Sequence, residues 1–293
     1  MPHLNKIETV ELRSAYEFLE YASRDLITRK KELGFRGHSN SDWKLEPTFT
    51  RFFRKLQEIH GLDRLPYDSR KLVLNVLADK FKENAVINND LTQDKAEKID
   101  IWQFGQHHGL PSPLLDWTHS PYIALFFALN DPENETENQS RCVCQLDLDL
   151  RAVIKRMIIE EVRPKKGAVF GNEETQALFL PTLDVVYELN ESNKRISFQK
   201  GFFTKHDTKE SFHSWLDYMV PKLPQTQYAT TVLKKIEFSC TANCRLEVQD
   251  ILDQMNINYR TLFPDIHGSV ADSIDYVTRY FNSPTYKQFS FYS

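Results

Sequence analysis

The segment SPYIALFFAL at 120–129 constrains the fold more than any other part of the sequence. Ser120 followed by Pro121 is typical of a helix start, since a serine oxygen caps free amide groups and proline fits the first turn. The run from Tyr122 to Leu129 is apolar throughout, and a helix that is apolar on every side has to be buried. We therefore predict a buried helix that ends near Asn130.

The stretch before this helix, residues 106–119, reads QHHGLPSPLLDWTH. One glycine and two prolines favour a loop over 109–119. Asp116 follows two leucines and precedes a tryptophan, so we expect its carboxylate to be at least partly buried. A buried carboxylate requires partners, which nearby backbone amides, His107 or Arg36 could supply.

Two interpretations of this stretch remain open. In the first, His107, His108 and Asp116 supply groups for proton transfer or charge stabilisation near neutral pH. The amide groups at the start of the helix capped by Ser120 then hold an anion. In the second, Asp116 only hydrogen-bonds the loop, Thr118 and Ser120 only act as caps, and the histidines belong to the core.

A second motif, FRGH at 35–38, places an arginine at the end of a predicted strand. Arg36 offers five N–H donors in a fixed fork, which matches a phosphate or the edge of a ribose. Gly37 removes a side chain beside it, so that a ligand or a backbone segment can approach closely. The alternative is a surface arginine next to a turn glycine.

The remaining patterns predict one α+β domain over residues 1–293, with a mainly helical N-terminal half. Within 1–32 we predict a helix over 9–31 capped by Thr9, either part of the domain or an extension of it. Further helices are predicted at 66–88, 94–108, 149–162, 208–216, 243–255 and 268–281. Strands are predicted at 141–147, 184–188, 195–199, 202–204 and 233–239. The polar stretch 131–140 is predicted to be a surface insert.

Charge and composition argue against several classes of protein. The chain has 41 acidic and 37 basic residues, a net charge of −4, which disfavours a surface devoted to nucleic acid. A local basic cleft stays possible, with Lys194, Arg195, Lys200 and Lys205 as one possible source. No apolar stretch of about eighteen residues and no secretory signal is visible, so we expect a soluble cytoplasmic protein without a membrane partner. We expect free thiols that act as small core residues, and no bound metal, for the four cysteines: Cys142, Cys144, Cys240 and Cys244.

The two motifs together resemble the FRG domain family. The resemblance includes FRGHSNSDWKLEPTFTR at 35–51 and QHHGLPSPLLDWTHSPYIALFFA at 106–128. It continues in RISFQKGFFT at 195–204 and LFPDIHG at 262–268, and so covers residues 35–268. Members of this family are mainly bacterial and phage-associated proteins regarded as toxins or defence effectors, and the resemblance implies such a role here.

More distantly, the sequence resembles ADP-ribosyltransferases of the arginine–serine–glutamate class. In that class an aromatic-Arg-Gly strand end holds NAD, and a serine-threonine strand leads into a helix; Phe35-Arg36-Gly37 and Trp117-Thr118-His119-Ser120 look like these two pieces in the same order. The resemblance implies a small split antiparallel sheet surrounded by helices. It also implies NAD as substrate, held by Arg36, Gly37, His38, Thr118 and His108.

The third piece of that class, a strand with a catalytic glutamate, is where this sequence departs. The corresponding stretch RISFQKGFF offers Gln199, which can bind a ribose hydroxyl but cannot act as a general base. A transferase that modifies a nucleobase or a phosphate could work without that acid; otherwise Asp116 or His107 would have to replace it.

Three hypotheses follow. The first is an ADP-ribosyltransferase-like enzyme or NAD glycohydrolase, with an unidentified acceptor and with catalytic groups Asp116, His107, Ser120 and Gln199. The second is a hydrolase or nuclease, with or without a metal, that uses a histidine as acid–base and Arg36 on a phosphate. The third is a non-catalytic module that binds a nucleotide, nucleic acid or protein through Arg36 and the helix start at Ser120.

Overall fold

The computed structural model describes residues 7–27, 31–60, 67–98, 100–130, 140–149, 183–187, 194–206 and 232–282. These residues form one seven-stranded sheet with helices packed on it. The strands are β1 (Ile7–Leu12), β2 (Leu33–His38), β3 (Leu114–Thr118), β4 (Ser140–Asp147), β5 (Leu183–Val186), β6 (Gly201–His206) and β7 (Leu233–Ser239). Their order is β1-β7-β4-β2-β3-β6-β5, and only the β1–β7 pair is parallel among these strands.

The helices surround the sheet. They are α1 (Ala15–Tyr21), α2 (Thr48–His60), α3 (Tyr67–Ile87), α4 (Gln93–Lys98), α5 (Ile101–His107), α6 (Pro121–Leu129), α7 (Lys194–Phe198), α8 (Ala242–Gln254), α9 (Tyr259–Leu262) and α10 (Ile266–Asn282). A π-helical turn over Ala22–Leu26 extends α1. Within the described ranges, no helix combines the length and the apolar character needed to span a membrane.

The sheet is split in its middle, between β2 and β3. Strand β2 pairs with β4 along its whole length, and β3 pairs with β6 along its whole length. Between β2 and β3, however, the only registered pair of the described residues is Phe35 with Thr118. The predicted mixed α/β fold is confirmed, although the sheet is larger than the small one expected.

Helix α6 is buried against β2, as the sequence predicts. Ala124, Leu125, Ala128 and Leu129 are fully buried. The last turn of the helix is closed by Arg141, whose Nη1 donates a hydrogen bond to the carbonyl of Ala128 at 2.8 Å. A cation at this end also complements the helix dipole.

The other face of the sheet carries a second apolar core around Trp117. It contains Leu45, Leu115, Cys142, Cys144, Leu146, Phe202 and Leu233. Trp117 donates a hydrogen bond from its indole Nε1 to the hydroxyl of Thr204 at 2.8 Å, and Thr204 is fully buried. This bond links β3 to β6 within the core.

The helix predicted near the N-terminus needs correction in its start and in its capping residue. The helix predicted over 9–31 is wrong at its start, because residues 7–12 form β1 and pair with β7. The helix begins after Ser14, whose side chain accepts a hydrogen bond from the Glu17 amide, and not after Thr9. Three of the six residues, Ile7, Thr9 and Val10, are β-branched, which suits a strand.

Two further corrections concern the segments that approach the split. The predicted loop over 109–119 contains strand β3 at Leu114–Thr118, because β6 provides a pairing partner that is distant in sequence. The predicted strand over 195–199 is the short helix α7, Lys194–Phe198. Three further predictions lie outside the described residues. They are the helix 149–162 except for residue 149, the helix 208–216, and the insert 131–140 except for residue 140.

Candidate functional site

A cavity of about 450 Å³ lies where β2 and β3 separate. Its lining combines residues from both strands with others that are distant in sequence. Those with polar side chains include Arg36, His38, Lys44, Arg51, Gln106, His107, Asp116, Thr118, Asn130, Arg195 and Gln199. A ligand pocket of this volume and polarity can hold a nucleotide-sized molecule.

Arg36 bridges the gap between the two strands. Its Nη1 donates to the backbone oxygen of Asp116 at 2.8 Å and lies 3.4 Å from the Asp116 carboxylate. Its Nε donates to Nε2 of His38 at 3.1 Å. Because the strands are not paired here, the guanidinium satisfies a carbonyl that a neighbouring strand would otherwise satisfy. The arginine is thereby held in place, while its Nη2 makes no hydrogen bond to a described residue.

Asp116 projects into this space and is not buried. Its side chain is 57% exposed, which corrects the expectation of partial burial. The adjacent Leu115 and Trp117 are buried, but successive side chains of a strand point to opposite sides. The carboxylate accepts a hydrogen bond from the side-chain amide of Gln106 and also contacts the guanidinium of Arg36. The acid is therefore oriented from two sides and still accessible to a ligand.

His107, at the end of α5, is the histidine of the adjacent pair that lines the cavity. Partial burial lowers the pKa of its imidazole, and the positive charge of Arg195 lowers it further. The neutral form is thus favoured near pH 7, and neutral imidazole can accept a proton. His108 instead packs its ring against Phe104, with centroids 4.9 Å apart, and lines a neighbouring hollow.

Four cations line the cavity: Arg36, Lys44, Arg51 and Arg195. Arg51 is exposed as a whole residue, but partial burial of its guanidinium and the charge of Arg36 lower its pKa. Asp116 is the acidic residue among the lining residues described. Lys44, Arg51 and Gln106 were not predicted as site residues. For Arg51 the available signal was its place at the end of the stretch 35–51.

Arg195 is fixed by contacts with the segment after α9. It forms an ion pair with Asp265 and lies over the ring of Phe263, 5.4 Å from the centroid. Burial raises the pKa of Asp265, but hydrogen bonds from the Gly268 amide and from Arg195 outweigh it, so the pKa is lowered overall. The stretches RISFQ and LFPDIHG therefore meet at the same cavity as the two earlier motifs.

Gly37 is required by the packing of α6. A Cβ atom at this position would lie 1.9 Å from the carbonyl oxygen of Ala124 and 2.6 Å from the amide nitrogen of Ala128. Gly37 was predicted to allow the close approach of a ligand or of a backbone segment, and in the structure it is the backbone of α6 that approaches. Gly37 still contributes to the cavity wall.

Thr118, Ser120 and Gln199 are linked to each other by short polar contacts. The Thr118 hydroxyl donates to the backbone oxygen of Gln199 at 2.6 Å and accepts from the Ser120 amide at 3.1 Å. Ser120 caps α6 by accepting a hydrogen bond from the Ile123 amide at 3.3 Å, and it is not among the cavity-lining residues. Gln199 lines the cavity, and its Nε2 donates to the carbonyl of Leu262 at 3.0 Å.

One group of described residues has the composition of a metal site. The ligand atoms of His38, Cys142 and Cys144 all lie within 4.8 Å of one another, and all three residues are buried. His38 also lines the cavity and forms an edge-to-face contact with Trp43.

Comparison with known proteins gives one match, to a family model that covers the site residues from β2 to α6. Neither the curated proteins nor the solved structures contain a match to the chain. The FRG domain matches residues 31–137, which include both the FRGH motif and the 106–128 stretch. The later stretches at 195–204 and 262–268 lie outside this match, and their resemblance stays a prediction. Residues 31–137 therefore contain an FRG domain, as the two motifs predict.

Proposed function

We propose that the cavity binds an anionic nucleotide, with NAD as the first candidate, and that the protein is an ADP-ribosyltransferase-like enzyme or NAD glycohydrolase. The observation that carries this proposal is the set of four cations, Arg36, Lys44, Arg51 and Arg195, that surrounds one acid, Asp116. Guanidinium groups bind phosphate oxygens through paired hydrogen bonds. A dinucleotide diphosphate supplies the negative charge that this lining lacks.

The split of the sheet supports the same assignment. Arg36 and Thr118 lie on the two strands that diverge, and these are residues to which the transferase resemblance assigns NAD binding. Arg36 is held by two partners before a ligand arrives, so little side-chain entropy is lost when it binds.

The chemistry required is cleavage of the bond between the ribose C1′ and the nicotinamide nitrogen. Nicotinamide leaves with the bonding electrons, and the ribose gains oxocarbenium character. The Asp116 carboxylate, held by Gln106 and Arg36, can stabilise this positive charge. Neutral His107 can accept the proton of the attacking nucleophile, which is water in a glycohydrolase and the acceptor in a transferase.

Gln199 supports the ribose in this proposal. One N–H of its amide is bonded to the carbonyl of Leu262, and its side-chain oxygen or its second N–H can hydrogen-bond a ribose hydroxyl. This arrangement supports a positioning role for Gln199, with proton transfer left to His107 and charge stabilisation to Asp116.

The test is nicotinamide release from NAD by the purified protein, with Arg36→Ala and Asp116→Asn beside the wild type. We expect at least about 100-fold slower release in both variants, since the first removes a phosphate-binding cation and the second removes the carboxylate that stabilises the oxocarbenium charge. Arg24→Ala is the matched control, because Arg24 is exposed and pairs only with its neighbour Asp25 among the described contacts. Wild-type protein that neither releases nicotinamide nor binds NAD in calorimetry would overturn the proposal; binding without release would favour a non-catalytic module.

A phosphodiester hydrolase or nuclease is the second candidate, favoured by a neutral His107 within a cationic cavity. Such an enzyme would cleave RNA or DNA without consuming NAD. Incubation with labelled oligonucleotides, with and without a chelator, distinguishes this activity and its metal dependence from NAD cleavage.

We further propose, on the family resemblance, that the activity acts as a toxin or defence effector. Induced expression in a bacterial host should then slow growth and deplete cellular NAD, and Arg36→Ala should not. Growth arrest by both forms would separate toxicity from this cavity.

A further inference from the structure

The cluster of His38, Cys142 and Cys144 follows from the pairing of β2 with β4. His38 lies opposite Cys142 in this antiparallel pair, and Cys144 follows two residues later. Because side chains alternate with a period of two, both cysteines face the same side of the sheet as His38. The three residues are only 5%, 1% and 4% exposed.

These atoms have the types and the spacing that a zinc ion requires. Zn–S and Zn–N distances of about 2.0–2.3 Å place tetrahedral ligand atoms roughly 3.5–4 Å apart. The three ligand atoms here lie within 4.8 Å of one another, so side-chain shifts of less than about 1 Å would complete the geometry. Thiolate and imidazole together select zinc over magnesium or calcium.

We propose that His38, Cys142 and Cys144 bind a Zn²⁺ ion in the wall of the cavity. Two thiolates and one divalent cation have no net charge, which allows the site to be buried. Three protein ligands leave a fourth position for water or a substrate atom, as in catalytic zinc sites. His38 contributes to the cavity lining, so the site adjoins the proposed nucleotide site.

Zinc binding at His38 has a consequence for Arg36. At present Arg36 donates a hydrogen bond from Nε to Nε2 of His38 at 3.1 Å. Ligation through Nε2 would occupy the lone pair that accepts this bond. Ligation through Nδ1 would place the ring proton on Nε2, which could then no longer accept it. In either case the ion and this hydrogen bond exclude one another, and among its hydrogen bonds to described residues Arg36 keeps those to Asp116.

The experiment measures metal retained by the purified full-length chain. Wild type, Cys142→Ser, Cys144→Ser and Cys240→Ser are equilibrated with Zn²⁺, desalted and analysed by mass spectrometry for metal. We expect equimolar zinc in the wild type and at least about tenfold less in the first two variants. Cys240→Ser is the matched control, since Cys240 is buried but lies outside the cluster. Substitution with Co²⁺ should give a thiolate charge-transfer band in the near ultraviolet that only these two variants lose.

A second measurement on the wild type alone covers the case in which a serine variant fails to fold. Zn²⁺ should slow alkylation of Cys142 and Cys144 by iodoacetamide, read by peptide mass spectrometry, and leave alkylation of the more accessible Cys244 unchanged. Wild type that retains no more zinc than Cys142→Ser, or unprotected thiols in the presence of Zn²⁺, would overturn the proposal.

Discussion

Strand β2 has two neighbours and makes very different contacts with them. With β4 it pairs along Leu33–His38, whereas with β3 it has one registered pair, Phe35 with Thr118. On the β4 side, backbone hydrogen bonds and buried side chains hold the strands together. On the β3 side, the guanidinium of Arg36 takes over the role of a backbone donor.

The closed β2–β4 pair contributes to stability, whereas the open β2–β3 junction offers groups that can bind a ligand. Closed strand pairs place their polar backbone groups in fixed, mutually satisfied positions and have none to offer a ligand. At the open junction, side chains that are held in place but remain accessible take over the role of these backbone groups, and they are available to a ligand. We therefore expect substitutions in the closed parts to lower the free energy of unfolding, and substitutions at the junction to lower binding or turnover.

The largest effect on stability is expected for Gly37→Ala. The new methyl group would meet the backbone of α6 at Ala124 and Ala128, and backbone atoms of a buried helix cannot move aside easily. Overpacking of this kind costs about 3 kcal/mol or more of unfolding free energy, measured by urea denaturation. Gly201→Ala is the control, since its nearest contact would be an ordinary 3.5 Å. Equal stability of the two variants would mean that the strand and helix are less tightly packed than described.

A smaller loss is expected for Trp117→Phe, on the closed β3–β6 pair. This change removes the indole donor to the buried Thr204 hydroxyl and should cost about 1–3 kcal/mol of unfolding free energy. The double variant Trp117→Phe with Thr204→Val should recover part of this loss, because both hydrogen-bonding groups are then absent. Strictly additive losses would show that the bond contributes little.

Asp116→Asn tests the open junction and should hardly affect stability. The Asp116 side chain is 57% exposed and its contact with Arg36 is 3.4 Å, so we expect a change within about 1 kcal/mol in the same denaturation experiment. A loss above about 2 kcal/mol would make this carboxylate a structural group and would weaken the proposed catalytic role.

The smallest effect is expected for His107→Asn, which should change how the free energy of unfolding depends on pH. The folded-state pKa of His107 lies below the ordinary histidine value, so the unfolded chain takes up this proton more readily. Unfolding free energy should therefore fall as the pH decreases from about 6.5, until the lower folded-state pKa is passed. In His107→Asn this part of the pH dependence should disappear; an unchanged pH profile would contradict the burial of the imidazole.

The sequence predicted those parts of the structure that local patterns determine. The buried helix α6, the strand at Leu233–Ser239 and the helix α8 lie within one or two residues of their predicted bounds. Arg36 was also named among the possible partners of Asp116, and the two residues are in contact. Each of these predictions rests on periodicity, capping or a compact motif.

The predictions that were wrong or missing concern features that depend on contacts between residues distant in sequence. Strand β3 was predicted to be a loop because Gly109, Pro111 and Pro113 precede it, and only pairing with β6 makes it a strand. Burial of Asp116 was inferred from its neighbours in sequence, although its exposure depends on the split of the sheet. Lys44 and Arg51 reach the cavity through the packing of the segment after β2, which no local pattern encodes.

The parallel pairing of β1 with β7 has a consequence for the folding route. Ile7 lies beside Leu233, so about 230 residues separate the two partners, and the entropy lost on closing so long a loop is large. Contacts of this range form late and slow the folding reaction. Until β1 arrives, the edge of β7 is exposed to pairing with another chain. Refolding yield should therefore fall as the protein concentration increases, because the last strand to be added comes from the beginning of the chain.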